Sequence, residues 1–130
     1  MTWFVDASAI VGILALESDH KVLAERLDTD RERIVSAVAL WEASVALRRI
    51  FAINLDRARE QIDAFVISCN LRMVPIAERE LSLALDAYAQ YGRGTPAGLN
   101  MGDCFAYGCA KAHGARLLYK GDDFARTDLS

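Results

Sequence analysis

Short apolar runs alternate along this chain with longer stretches of helical period. Trp3-Phe4-Val5 is a β-rich apolar run that predicts a first buried strand. Asp6-Ala7-Ser8 follows as a polar turn, and Ala9 to Leu16, rich in helix formers, predicts a helix. A strand that ends in a polar turn opening a helix begins an α/β unit. His20 to Leu27 reads as a second short helix, and Ile34-Val35-Ser36 as a second strand. Val38 to Phe51 predicts a longer helix, with Val38, Trp41 and Val45 recurring at helical spacing. Leu55 to Cys69 is the clearest amphipathic segment. Leu55, Ala58, Ile62, Phe65, Val66 and Cys69 share one face, while Asp56, Arg57, Glu60 and Asp63 face water. Met73 to Ile76 reads as a third strand, weakened by Pro75. Glu78 to Tyr91 is helical, Gly92 to Gly98 is the one long loop, and Asp103 to His113 is a small-residue helix. Arg116 to Tyr119 is a last strand, closing at Lys120-Gly121-Asp122-Asp123-Phe124. The pattern predicts one α/β domain over residues 1–130, with a small parallel sheet flanked by helices.

Composition narrows the function classes. Of 130 residues, 53% are hydrophobic and 25% charged, which excludes disorder. Fifteen Lys and Arg against eighteen Asp and Glu give a net charge of −3, against the basic character of a duplex-binding protein, although a local basic groove is compatible with it. The three Cys (Cys69, Cys104, Cys109) form no CxxC, and only two His accompany them, so neither a disulfide framework nor a structural zinc site is expected. They read as small buried residues in a reduced cytosol. The first residues carry no basic segment, and Ala7 to Leu16 is too short to span a bilayer. The expectation is a soluble, cytoplasmic protein without a membrane segment.

Several acids stand in places that disfavour charge. From Trp3 to Leu16 the only polar side chains are Asp6 and Ser8. A carboxylate removed from water needs a cation, a donor network or a proton; capping the next helix would be the structural alternative for Asp6. Glu42 shares a helix face with Val38 and Val45, unless an edge position or an ion pair with Arg48 or Arg49 explains it. Asp103 follows Gly102 ahead of an apolar helix, which suits a cap as well as a carboxylate carried on the first turn, with Asn100 and Gly102 shaping its approach. Asp122 and Asp123 follow the last strand, where Asp commonly makes turns. Taken together, the acids gather at the edge where open α/β sheets place their sites, beyond the carboxyl ends of strands. Carboxylates converging there repel each other, and a hard divalent cation resolves that conflict. Such a cation can activate water for attack on a phosphate. No nucleophile–base constellation competes.

The order and spacing of Val5-Asp6-Ala7-Ser8-Ala9, of Glu42 in Ala39-Leu40-Trp41-Glu42-Ala43, of Leu99-Asn100-Met101-Gly102-Asp103-Cys104, and of Leu117 to Phe124 with Thr127-Asp128 behind it are specific as a set. Over nearly its whole length the chain resembles the PIN-domain ribonucleases, and closely the VapC toxins of bacterial toxin–antitoxin pairs. The resemblance implies a PIN-like fold and a metal-dependent endoribonuclease whose four site acids are Asp6, Glu42, Asp103 and Asp123. The family usually has an acid directly before the Phe, which favours Asp123; Asp122 is an adjacent extra acid. Ser8 matches a family hydroxyl beside the first acid. Also implied are Mg²⁺, or Mn²⁺, a homodimer, an antitoxin protein that occupies the cleft, often with an Arg among the acids, and a substrate such as tRNA or another structured translation RNA.

Read for chemistry, Asp6 and Asp103 are the best direct metal ligands. Glu42 and Asp123 would act through waters, or orient and deprotonate the attacking water. In-line attack by water leaves a 5′-phosphate and a 3′-hydroxyl. Arg93, Lys111 and Lys120 are candidates for holding RNA phosphates and are equally at home on a solvated surface. Apolar Ile10, Val11 and Leu14 on the first helix suggest self-association. Two other enzyme classes fit less well. A receiver domain wants an acidic pair after its first strand, and an Asp-nucleophile phosphotransferase wants Asp-x-Asp there, where Ser8 replaces the second acid. A catalytically silent PIN-fold interaction module would have no need to retain all four acids.

Overall fold

The computed structural model describes residues Met1–Ser130. Four short strands form one parallel sheet: β1 (Thr2–Val5), β2 (Glu32–Val35), β3 (Arg72–Met73) and β4 (Arg116–Leu118). Six helices accompany them: α1 (Ala7–Leu14), α2 (His20–Leu27), α3 (Ala37–Phe51), α4 (Leu55–Ser68), α5 (Glu78–Tyr91) and α6 (Met101–Ala112). The α/β architecture expected from the pattern is the one observed. Phe4, Val5, Ile34, Val35, Leu117 and Leu118 are buried in the sheet, as continuous apolar runs must be in a parallel sheet covered by helices. No helix is long and apolar enough to cross a membrane.

The sheet order is β3-β2-β1-β4. The chain steps outward from β1 through β2 to β3, then returns to place β4 on the other side of β1. The order therefore reverses between β1 and β4, and the carboxyl ends of those two strands bound a crevice. A receiver domain follows a different order, 2-1-3-4-5, so topology excludes that alternative.

Several boundaries differ from the expected ones, each for a local reason. Helix α1 starts at Ala7 instead of Ala9, because the Asp6 carboxylate accepts the Ser8 N–H at 3.0 Å and caps it directly. Ser36, expected in a strand, caps α3 by accepting the Ala39 N–H at 3.1 Å. Pro75 leaves β3 two residues long and at the sheet edge, although the Val74 N–H still donates to the Val35 carbonyl at 2.8 Å. Helix α6 begins at Met101, capped by Asn100, so Asp103 lies inside its first turn and is not the cap. The core seam of α3 is Ala39, Ala43 and Leu47, while Trp41 is 66% exposed and Leu55 on α4 is exposed as well. On α1, Ile10 is fully buried and Val11 and Leu14 pack against the protein's own core. Val11 and Leu14 remain partly exposed, so less apolar surface is left there than the sequence suggested.

Helix α5 packs closely on α6, and Gly108 permits it. A methyl group at that position would stand 2.9 Å from the Ala84 nitrogen and the Glu80 carbonyl oxygen, too close for backbone to accommodate. This pairing fixes α6, whose first turn enters the crevice.

Candidate active site

Four segments deliver carboxylates to the crevice between β1 and β4. Asp6 leaves β1, with its N–H donating to the Leu118 carbonyl of β4 at 2.9 Å. Ser8 ties the two strand ends together from the side: its hydroxyl donates to Asp6 Oδ2 at 2.6 Å and accepts the Lys120 N–H at 3.0 Å. Asp103 sits in a reciprocal clip at the start of α6. Its N–H donates to Asn100 Oδ1 at 2.8 Å, and its own Oδ2 accepts the Asn100 N–H at 3.2 Å. Asp123 precedes Phe124, which is fully buried and packs edge-on against Tyr119 at 5.1 Å between ring centroids. That anchor, with Thr127 donating to the Phe124 carbonyl at 2.8 Å, holds the Asp123 backbone at the crevice.

Glu42 reaches in from the second turn of α3, and its carboxylate lies against Gly102. A Cβ at Gly102 would fall 2.1 Å from Glu42 Oε2, so only glycine leaves room for this carboxylate. Asp6, Ser8, Glu42, Asp103 and Asp123 line one cleft of about 380 Å³. A larger hollow of about 640 Å³ lies at Trp3, Arg116 and the C-terminal residues, but Asp128 is its single acidic side chain.

Burial and like charge oppose ionisation in the cleft. Asp6 and Asp103 are 5% and 9% exposed. Burial raises the Asp6 carboxyl above its ordinary value against the pull of the Ser8 hydrogen bonds, and the nearby Asp123 charge adds to the rise. Burial pushes Glu42 up to about 7, with repulsion from Asp6 and Asp103 contributing. Asp103 is pushed up to about 6, again chiefly by burial, then by Asp123 and Asp6, against the Asn100 hydrogen bond. These are hard oxygen donors at a shared site, the donor set that fits Mg²⁺ or Mn²⁺. The carboxylates do not close into a cage of three or more direct ligands.

The PIN domain family pattern matches residues 3–129. A VapC ribonuclease of Rhizobium meliloti (strain 1021) is 44% identical, covering 97% of this chain and 98% of its own. The chain belongs to the PIN-domain family, among its VapC ribonucleases. Ribonuclease VapC28 of Mycobacterium tuberculosis is 38% identical over 96% of this PIN domain and 93% of its own length. In architecture the PIN domain is similar to the crystal structure of Mycobacterium tuberculosis VapC20, a sarcin-ricin loop cleaving toxin, with a TM-score of 0.73, 18% identity and coverage of 95% and 92% of the two chains.

Within this PIN domain the structure separates the two adjacent acids. Both are exposed, but Asp123 lines the cleft and Asp122 does not. Lys120 lines the cleft but is engaged, with its ammonium 2.9 Å from Glu17 and 3.6 Å from Asp19. Arg93 and Lys111 do not line it. Lys111 instead pairs with Asp128 at 2.5 Å and lies over the Tyr107 ring. Two polar cleft residues escaped the sequence reading of the site, Glu17 and Arg49, while Asn100, expected to shape the approach of Asp103, does so as the cap of α6. Arg49 had a legible signal, because it lies seven residues after Glu42 and so shares its helix face.

Proposed function

We propose that this PIN domain is a Mg²⁺-dependent endoribonuclease, the toxin of a type II toxin–antitoxin pair, acting on tRNA or another structured RNA of translation. The observation that carries this reading is the convergence of Asp6, Glu42, Asp103 and Asp123, from four separate segments, on the crevice where the strand order reverses. Asp6 and Asp103 would hold the cation. When bound, it lowers the pKa of a water and neutralises charge on the phosphate under attack.

The protein's own groups do the rest. Ser8 fixes the rotation of the Asp6 carboxylate, and the Asn100 clip fixes Asp103. Glu42, lying against Gly102, accepts the proton of the attacking water, and Asp123 orients that water from the facing loop. Water displaces the ribose 3′-oxygen in line, leaving a 5′-phosphate and a 3′-hydroxyl. Partners are the RNA, a protein antitoxin over the cleft, and a second copy of the chain. We assign self-association to the face of α5 and α6 in place of α1. Leu81, Leu85 and Tyr88 of α5 and Met101 of α6 are exposed around an apolar groove of about 210 Å³.

The test is incubation of total cellular RNA with the protein in Mg²⁺ and in excess chelator. Cleavage in Mg²⁺, its loss in chelator, its return with Mg²⁺ or Mn²⁺, and products ending in 5′-phosphate are expected. Undiminished cleavage in chelator, or cyclic phosphate ends, would contradict the mechanism.

A further inference from the structure

The cleft holds five carboxylates, those of Asp6, Glu17, Glu42, Asp103 and Asp123, yet an RNA strand that reaches them is a polyanion. A cation among the acids answers the charge of the phosphate being cut and leaves its neighbours unanswered. Two basic side chains line the cleft, Lys120 and Arg49. Lys120 is already committed to Glu17 and Asp19. Arg49 takes part in none of the ion pairs of the structure. It is exposed on the last turn of α3, two turns from Glu42 and so about 10 Å along the helix axis. Ala46 lies between them on the same face and also lines the cleft, and its small side chain leaves the floor open from the Glu42 carboxylate to Arg49.

We infer that Arg49 is a substrate-positioning residue that grips an RNA phosphate beside the scissile one. Its planar guanidinium suits a phosphate bidentately, in a way that a lysine point charge does not. The separation from Glu42 assigns it to a flanking phosphate, so it acts in binding and register and takes no part in the chemistry. The neighbouring Arg48 sits on the same turn and answers equally to the helix dipole, but it does not line the cleft. It is the internal control.

This inference rests on the ribonuclease reading, and the experiment separates the two. A fluorescein-labelled single-stranded RNA of about ten nucleotides is titrated with the full chain in Ca²⁺, which screens the carboxylates with looser coordination than Mg²⁺. Affinity is followed against salt. Arg49→Ala is expected to weaken binding about tenfold and to flatten the plot of log affinity against log salt by about 0.7. Arg49→Lys should restore the slope, and Arg48→Ala should leave both quantities at the wild-type values. In Mg²⁺, Arg49→Ala should raise KM with kcat nearly unchanged. An unchanged salt slope in Arg49→Ala, or an equal loss in Arg48→Ala, overturns the inference even where the wild type cleaves RNA. A slope that depends on Arg49 in a protein that never cleaves RNA upholds the phosphate contact and overturns the ribonuclease reading. Unchanged RNA binding combined with lost binding of an acidic protein partner would assign Arg49 to that partner and overturn the inference as well.

Discussion

At Glu42 and Asp103, burial and charge act against each other, and the conflict has a measurable sign. Their carboxyls stand at about 7 and about 6 in the metal-free fold, against ordinary values of 4.5 and 3.8. Between those limits the folded chain keeps protons that the unfolded chain has released. The stability they contribute is complete below about pH 4 and is lost as pH rises through about 7. In chelator, therefore, the melting temperature should fall from about pH 5 to about pH 8 more steeply in the wild type than in a Glu42→Gln, Asp103→Asn double variant. Equal slopes would mean that these groups are not coupled to folding. Asp128, held below its ordinary value by Lys111 and Tyr107 against the opposing effect of burial, has the opposite sign and acts below this window. Gly102 gives a second test at this scale. Gly102→Ala should fold with equal or slightly greater stability, since Ala is favoured by about 1 kcal/mol in a helix. Its methyl group must displace the Glu42 carboxylate, so RNA cleavage should drop about 10²-fold; full cleavage by this variant would show that the position of Glu42 is immaterial. Asp6 and Asp103 were legible in sequence because they interrupt apolar or small-residue runs. Asp123 was favoured over Asp122 by its place directly before Phe124, and it is Asp123 that lines the cleft.

At the scale of elements, the sequence marks helices well and their first residues poorly, because Asp, Ser and Asn can close a turn or open a helix. Asp6, Ser36 and Asn100 all prove to be caps, and each lengthens its helix toward the site. Asp6 caps α1 while its carboxylate lines the cleft, so the capping role does not take it away from the site. In α3 the sequence suggested a seam of bulky Val and Trp, whereas packing selected Ala39, Ala43 and Leu47, whose small side chains let the helix lie close. Glu42 is therefore a flank residue tilted into the cleft and not a core residue. The Asn100 cap can be removed alone. Asn100→Ala should lower unfolding free energy by about 1 kcal/mol in urea. The backbone N–H that Asp103 accepts survives in this variant, so cleavage should fall far less than in Asp103→Asn. A loss of cleavage as complete as that of Asp103→Asn would mean that the Asn100 side chain itself touches the substrate.

For the whole molecule, sheet order does what no local motif could. Residues 6, 42, 103 and 123 are far apart in sequence, and the reversal between β1 and β4 brings two of their segments side by side while α3 and α6 begin at the same edge. The number and type of elements could be read from the chain; their order in the sheet could not, since strand pairing is non-local. The exposed apolar side chains around the 210 Å³ groove lie on α5 and α6 and not on α1, a placement that also depends on the packing of helices far apart in sequence. Light scattering at micromolar concentration should find a dimer that Leu85→Glu converts to a monomer, and a monomeric wild type would contradict this. The claim on which everything else depends is that the acids serve phosphodiester chemistry and not merely folding, and Asp6→Asn decides it. Asn caps a helix as well as Asp, but its neutral amide holds a hard divalent cation far more weakly than a carboxylate does. With circular dichroism as the folding control, Asp6→Asn is expected to fold like the wild type and to lose cleavage of total cellular RNA in Mg²⁺. Full cleavage by a well-folded Asp6→Asn protein would contradict the account and return the acids to structural roles.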